Sequence, residues 1–159
     1  MAVEIERKFL VKDASYRNLA FRHYEIRQGY IANEDGRSVR VRITDNEAVL
    51  TIKGPSDSRG MSRYEWSQLI SVEDALELFK LHRNGCIEKR RYLVHSGPHV
   101  FEVDEFYGDN EGLVIAEVEL NSEDEVFEKP DFIGKEVTGD DRYYNVNLAV
   151  NPFKNWKKG

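Results

Sequence analysis

The sequence has one cysteine, Cys86, and four prolines among its 159 residues. A single thiol cannot form a disulfide within the chain or assemble a thiolate metal site. Long apolar runs are also missing, and none has the length of a signal-peptide core or a membrane-spanning helix. We therefore expect a cytoplasmic protein with no membrane partner.

Basic residues are in deficit, with 23 Lys and Arg against 29 Asp and Glu and a formal net charge of −6. A general nucleic-acid binder usually carries a basic excess, so the balance argues against nucleic acid as a partner. Charged residues still make up 33% of the chain. Net charge does not report clustering, and a local basic pocket stays compatible with this composition.

Common catalytic signatures are absent as well. The sequence contains no G-x-x-x-x-G-K-[ST] phosphate loop and no motif that supports a Ser/His/Asp nucleophile. Its four histidines are scattered without a metal-ligand spacing, which favours surface or structural roles.

No internal repeat, low-complexity tract or linker divides the sequence, and we expect one domain over residues 1–159. Short strand-like runs bounded by turn residues recur, with hairpin loops at Asn33-Glu34-Asp35-Gly36 and Ser96-Gly97-Pro98. The predicted strands are residues 4–11, 24–32, 37–44, 48–53, 62–70, 87–95, 99–106 and 112–120. Eight strands at this spacing predict an antiparallel sheet or barrel.

Helices are predicted where Ser or Asp can accept hydrogen bonds from a first helical turn, and they end at Gly or before Pro. The predicted helices run from Ser71 to about Asn84 with Gly85 as terminator, from Ser122 to before Pro130, from Asp140 or Asp141 to Ala149, and from Asp13 to Ala20. The predicted fold class is α+β, dominated by strands.

Charged and apolar residues alternate along the strands, where positions i and i+2 share a face. Glu4, Glu6 and Lys8 thus lie on the face opposite to Ile5 and Phe9. Like charges on one face repel unless a counter-charge or ion lies between them. Six further strands repeat the pattern, with Arg40 and Arg42, Thr51 and Lys53, Arg63 and Glu65, Lys89 and Arg91, Glu102 and Asp104, and Glu117 and Glu119.

One such pair is usually a solvated strand face, but their recurrence favours a closed sheet with charged faces inward and apolar faces covered by helices and loops. Charges of both signs inside a barrel are costly unless a highly charged ligand compensates them. Phosphate oxygens suit Arg40, Arg42, Lys53, Lys89 and Arg91. Mg²⁺ or Mn²⁺ suits the oxygen ligands Glu4, Glu6, Glu65, Asp104, Glu117 and Glu119.

The opening run Glu4-Ile5-Glu6-Arg7-Lys8-Phe9 resembles the E-x-E-x-K signature of the CYTH proteins, the triphosphate tunnel metalloenzymes. That signature alone is weak, but an ordered series of similar segments covers nearly the whole chain. The series continues through Arg27-Gln28-Gly29-Tyr30, Val39-Arg40-Val41-Arg42, Thr51-Ile52-Lys53, Arg63-Tyr64-Glu65, Glu88-Lys89-Arg90-Arg91-Tyr92, Glu117-Val118-Glu119, the segment 132–138 and Asp141-Arg142-Tyr143. The resemblance implies an eight-stranded antiparallel tunnel with helices outside and a C-terminal helix near one mouth.

The resemblance is strongest to bacterial inorganic triphosphatases, and it implies metal-dependent hydrolysis of inorganic triphosphate to pyrophosphate and phosphate. Nucleoside triphosphates are further substrates to consider. It also implies that Lys8 and Tyr30 position or deprotonate water and that Arg63 binds substrate. The alternatives are a packed aromatic at Tyr30 and an ion pair at Arg63. Lys135 departs from similar sequences, which can carry an acid there, and receives no site role.

Other functions stay open at this point. A class IV adenylate cyclase would convert ATP to cyclic AMP, but it needs a nucleoside pocket and no adenine-binding signature is found. Thiamine triphosphate is an alternative substrate for a hydrolase. A binding module without turnover is disfavoured, because the acidic residues and Lys8 are intact. The preferred metal stays open too, and a homodimer is one option for the oligomeric state.

Overall fold

A computed structural model describes residues 3–82 and 86–156. Short 3₁₀ turns lie at Gly108–Asn110, Asp141–Tyr143 and Phe153–Asn155. The helices and strands, in chain order, are β1 (Val3–Val11), α1 (Tyr16–Leu19), β2 (Arg22–Glu34), β3 (Arg37–Thr44), β4 (Glu47–Lys53), β5 (Ser62–Ile70), α2 (Val72–Phe79), β6 (Cys86–Ser96), β7 (His99–Phe106), β8 (Val114–Glu119), β9 (Ile133–Glu136) and α3 (Asn145–Val150).

Eight of the strands close into an antiparallel barrel. Their order is β5-β4-β3-β2-β6-β7-β8-β1, and β1 pairs with β5 to complete the ring. One edge of β1 serves two neighbours, because residues 3–5 pair with β5 while Phe9 and Val11 pair with β9. The hairpin loops contain Gly36 and Gly97 at positive φ, as tight turns require. The predicted strand-dominated barrel is confirmed.

Apolar side chains pack on the outside of the barrel, beneath the outer elements. Phe9, Phe101 and Phe132 are fully buried in a cluster that includes Tyr16 from α1. A second cluster packs α2 onto the sheet. The third contains Leu148 of α3, which is fully buried in a cluster with Ile87, Phe106 and Ile115 of the neighbouring strands. Burial of each large apolar side chain contributes about 1.5–3 kcal/mol, so the outside of the barrel supplies its stability.

The acidic helix predicted to begin at Ser122 is wrong. Residues 121–124 form bends and a turn, and residues 125–129 contain no helix either. Side chains in this segment form hydrogen bonds with near neighbours. The Ser122 hydroxyl donates to the Asp124 carboxylate, and the Glu125 carboxylate accepts from the backbone N–H of Asn121. Such local hydrogen bonds compete with helix formation.

Other helix predictions need adjusted ends. Ser71 caps α2 as predicted, with its Oγ accepting from the backbone N–H of Asp74 at 3.0 Å, but the helix ends at Phe79. The predicted ends at Asn84 and Gly85 lie outside the described residues. α1 occupies only four of the predicted positions 13–20.

The predicted C-terminal helix is divided into two pieces. Asp140 caps the 3₁₀ turn Asp141–Tyr143, and α3 begins after the extended residue Tyr144. The strand β9 was not predicted, since its residues Ile133–Glu136 show no clear alternation. Within the described parts of the chain, no helix has the length and apolar character needed to cross a membrane.

Candidate active site

The barrel encloses a charged cavity of about 180 Å³. Asp104 is the only predicted site residue that does not line it, because this side chain is buried against Arg91 and Lys89. The structure therefore brings together all but one of the predicted residues: Glu4, Glu6, Lys8, Tyr30, Arg40, Arg42, Lys53, Arg63, Glu65, Lys89, Arg91, Glu117 and Glu119.

The charges are segregated on opposite sides of the cavity. In the ring of eight strands, β3 and β8 are four strands apart in either direction, so their inward side chains face each other across the tunnel. We call Arg40 and Arg42 of β3 the arginine wall. We call Glu4 and Glu6 of β1, together with Glu117 and Glu119 of β8, the glutamate wall.

The arginine wall is held by neutral groups. Arg40 Nη2 donates to Thr51 Oγ1 at 3.2 Å, and Arg42 Nε donates to Gln28 Oε1 at 2.9 Å. Among the residues described, neither arginine forms an ion pair with a carboxylate, and the buried Nε of Arg40 has no hydrogen-bond partner. Burial lowers the pKa of Arg42, and repulsion by Arg40 and Arg91 adds to this effect. The wall therefore offers positive charge and an unused donor to an anion.

The glutamate wall crowds carboxylates together. The strand register places Glu6 opposite Glu119 and Glu102 opposite Glu117. Enclosure in the protein raises the pKa of Glu6, and the negative charges of Glu117 and Glu4 raise it further. Crowded carboxylates form the donor set that a hard divalent cation prefers, and such a cation would relieve their repulsion. Within the described residues, however, no three acidic, His or Cys side chains already converge as a metal site.

Lysines and Arg63 partly neutralise the carboxylates. Lys53 Nζ lies 3.0 Å from Glu4 and 3.4 Å from Glu65, and Arg63 lies 3.5 Å from Glu4. Burial opposes ionisation of Glu4, but the charge and hydrogen bond of Lys53, a hydrogen bond with Glu65 and the charge of Arg63 together outweigh it and lower the pKa of Glu4 to about 2. Lys8 Nζ lies 3.6 Å from Glu117. Arg63 thus forms an ion pair with Glu4. This is the role that the sequence analysis gave as the alternative to substrate binding.

Asp104 is the counter-ion of two cations that line the cavity, Lys89 and Arg91. Its oxygens accept from Arg91 at 2.8 and 3.0 Å and lie 2.8 Å from Lys89 Nζ. Burial opposes ionisation of Asp104, yet Arg91 and Lys89 lower its pKa to about 2. Burial lowers the pKa of Lys89 to about 7, with Arg91 and Arg42 adding to the effect and Asp104 opposing it. These contacts suit a counter-ion shared by two cations.

The residues that lead into α3 make tunnel contacts that the sequence analysis did not predict. Lys8 Nζ donates to the backbone oxygen of Tyr143 at 3.3 Å. The Tyr144 ring centroid lies 4.9 Å from Lys8 Nζ and 5.7 Å from Arg63 Cζ. Asn145 Oδ1 accepts from Lys89 Nζ at 2.7 Å. No charge or spacing in this segment signals these contacts.

Strand alternation also points to two residues that received no site role in the sequence analysis. Gln28 is fully buried, and Glu102 had been placed on the inward face of its strand without a role. Gln28 precedes Tyr30 by two positions, and Glu102 precedes Asp104 by two. Glu102 lines the cavity and accepts from Arg91 Nη1 at 3.0 Å. The i, i+2 rule places Gln28 on the same face as Tyr30, although Gln28 is neutral, and Glu102 on the same face as Asp104. Both residues could therefore have been assigned to the site from the sequence.

Known proteins are similar to this chain in sequence and in fold. A family model for the CYTH domain matches residues 2–144. An inorganic triphosphatase of Acetivibrio thermocellus is 49% identical over 159 residues, which cover 99% of this chain and 100% of the relative. An inorganic triphosphatase of Nitrosomonas europaea is 36% identical over 155 residues, which cover 93% and 97%. The crystal structure of the inorganic triphosphatase NE1496 matches with a TM-score of 0.63 at 33% identity, covering 94% of this chain and 96% of the other. The chain belongs to the CYTH domain family.

Proposed function

We propose that this protein hydrolyses inorganic triphosphate to pyrophosphate and phosphate with Mg²⁺ or Mn²⁺ as cofactor. The arginine wall carries the proposal, since its cations have neutral partners and face a crowd of carboxylates across the tunnel. A polyphosphate that contacts the arginines on one side and a carboxylate-bound cation on the other would satisfy both walls. Two relatives named inorganic triphosphatase, at 49% and 36% identity, support the same substrate.

In this proposal the basic side chains position the phosphates and stabilise the charge that develops during transfer to water. Guanidinium groups suit this task because each can give two parallel hydrogen bonds to phosphate oxygens. Lys53 and Arg63 would exchange their contacts with Glu4 for contacts with the substrate. The complete proposed substrate-binding set is Arg40, Arg42, Lys53, Arg63, Lys89 and Arg91.

The donor chemistry of the tunnel fits a hard divalent cation, and we assign its binding to Glu4, Glu6, Glu65, Glu117 and Glu119. Asp104 as a ligand stays a prediction from the sequence, because Arg91 and Lys89 already occupy its oxygens. A bound cation would neutralise charge on phosphate oxygens. Lys8 and Tyr30 line the same cavity, and we assign them to positioning or deprotonating the attacking water.

Product analysis tests the proposal. The purified chain is incubated with Mg²⁺ or Mn²⁺ and with inorganic triphosphate, thiamine triphosphate or ATP, and each reaction is repeated with a chelator. We expect metal-dependent release of phosphate and pyrophosphate, fastest from inorganic triphosphate. If ATP gave cyclic AMP and pyrophosphate, the protein would be a cyclase and the proposed hydrolase function would be wrong. If the protein bound a triphosphate tightly but formed no product, it would be a binding module without turnover.

A cytoplasmic location and a homodimer belong to the same proposal. The single cysteine is compatible with a reducing compartment, and cell fractionation tests the location. Sedimentation velocity separates a monomer of 18.5 kDa from a dimer.

A further inference from the structure

Two neutral amides connect the arginine wall with Lys89, a second cation that lines the cavity. Gln28 is fully buried in β2, and Asn145 is the first residue of α3. Asn145 Oδ1 accepts from Lys89 Nζ at 2.7 Å and from Gln28 Nε2 at 3.2 Å. Gln28 Oε1 accepts from Arg42 Nε at 2.9 Å, and Gln28 Nε2 also donates to the Tyr30 hydroxyl at 3.2 Å. The two amides thus contact three side chains of the proposed site.

The direction of every hydrogen bond in this group is determined by its charged members. Arginine and lysine can only donate, so the oxygen of Gln28 has to face Arg42 and the oxygen of Asn145 has to face Lys89. The amide nitrogen of Gln28 is then left to donate to Asn145 and to the Tyr30 oxygen. Because that oxygen accepts from Gln28, the hydroxyl hydrogen of Tyr30 points elsewhere.

Neutral amides at these positions have a chemical consequence. An amide oxygen fixes a cation by accepting a hydrogen bond, but it adds no negative charge beside the place where an anion would bind. A carboxylate of the same shape would hold the cation as well and would also repel the phosphates. Asn145 therefore suits a cation that already shares the carboxylate of Asp104 and has to keep attraction for a ligand.

We propose that Gln28 and Asn145 are positioning residues that hold Arg42, Lys89 and Tyr30 for the triphosphate without neutralising the two cations. This inference rests on the proposed function, because it assumes that these cations bind phosphates. It gives the start of α3 a task in substrate recognition in addition to the apolar packing of the helix through Leu148.

The variant Asn145→Asp separates positioning from packing. It keeps the size of the side chain and both acceptor bonds, and it adds one negative charge next to Lys89. We expect its thermal unfolding midpoint to equal or exceed that of the wild type, because the buried ammonium gains a counter-charge. Calorimetric titration with inorganic triphosphate in a chelator should nevertheless show affinity weakened about tenfold or more, since a contact with a charged group is altered.

Two further variants complete the experiment. Gln28→Glu places a carboxylate against Arg42 and should weaken triphosphate binding by a similar factor. Asn151→Asp is the matched control, because it adds the same charge at an exposed position just beyond the end of the same helix. Its affinity should stay within about twofold of the wild type, as for surface substitutions away from special features.

Folded Asn145→Asp and Gln28→Glu proteins that bind triphosphate as the wild type does would overturn the inference. Phosphate release by the wild type, measured separately with Mg²⁺, reports on the proposed function. An active wild type with unaffected variants would remove the positioning role alone. An inactive wild type whose binding still depends on residues 28 and 145 would remove the hydrolysis and leave the positioning role.

Discussion

The two walls of the tunnel solve the problem of buried charge in different ways. On the glutamate wall, charges are compensated within the protein, with Lys8 beside Glu117 and Lys53 beside Glu4. On the arginine wall, the guanidinium groups have only neutral partners among the residues that the structure describes, and within this part of the chain one buried N–H has none. The first wall is partly satisfied by lysines of the protein, whereas the second keeps positive charge that the proposed function assigns to an anion.

This difference indicates where the protein gives up stability for binding. Buried like charges are unfavourable, and replacing them by apolar groups of similar volume often stabilises a protein. Sites that bind ligands commonly retain such unfavourable groups, because the ligand relieves them. The burial of apolar side chains outside the barrel offsets the unfavourable free energy of the buried charges. The interior can therefore be lined by charged residues.

The largest effect is expected from Arg42→Met, which removes half of the arginine wall. Loss of a charged donor aimed at the substrate should lower kcat/KM for triphosphate by about 10³-fold. The ligand-free protein should become more stable, because burial and the charges of Arg40 and Arg91 oppose the Arg42 cation. Phosphate-release kinetics and thermal melts measure both changes. Arg90→Met is the control on the outer face, and equal losses in the two variants would contradict the role of the wall.

Glu6→Gln should have the next largest effect, because it alters the glutamate wall without changing its shape. We expect metal-dependent turnover to fall about 100-fold. We also expect Mg²⁺ or Mn²⁺ to raise the melting temperature of the wild type and to raise that of the variant less. Glu25→Gln, on the exposed outer face beside Arg90, is the matched control. Near-native turnover by Glu6→Gln would remove Glu6 from the metal site, and the same test applies to Glu4→Gln.

Gly139→Ala tests the packing at the mouth beside Arg63 and Tyr144. Gly139 has φ +81°, and an added Cβ would lie 2.7 Å from the backbone oxygen of Arg59. We expect a loss of about 1–3 kcal/mol in the free energy of unfolding. Gly108→Ala is the control, since φ is +64° there and an added Cβ meets nothing within 4 Å. If the two variants melt alike, the close approach to Arg59 contributes nothing beyond backbone strain.

The smallest effect concerns an ion pair outside the tunnel. Arg7 contacts Glu136 at 2.6 and 2.9 Å, and its hydrogen bonds lower the pKa of Glu136 below the ordinary value of 4.5. The pair therefore stabilises the fold above that value, and this contribution is lost as the pH falls through the lower, folded pKa. Glu136→Gln should cost at most about 1 kcal/mol near pH 7. Melting curves of the variant and the wild type should converge in acid, and a constant gap would contradict the assignment.

Strand alternation predicted the inside of the barrel well, because a period of two places side chains regardless of neighbouring structure. The pairs on β1, β3, β4, β5 and β8 all face the cavity as expected. Asp104 shares the inward face of β7 with Glu102 but lies deeper, where Arg91 and Lys89 enclose it. Depth along a tilted strand depends on the stagger of its neighbours, which the alternation does not contain.

Irregular segments were predicted less well, for a related reason. The acidic run after Ser122 has a helix-like composition, but tertiary contacts decide its conformation, including that of Glu125 with His99. Asn145 carries no signal in the sequence, since its role depends on where α3 meets the barrel. Sequence patterns predict local geometry, but contacts between segments that are distant in the sequence can be identified only once the fold is known.

A crystal structure of the protein with inorganic triphosphate and Mn²⁺ tests the two-wall account most directly. The account predicts anomalous scattering from Mn²⁺ against the glutamate wall and phosphate oxygens within hydrogen-bond distance of Arg40 and Arg42. Triphosphate bound outside the tunnel, or Mn²⁺ bound away from Glu4, Glu6, Glu117 and Glu119, would contradict it.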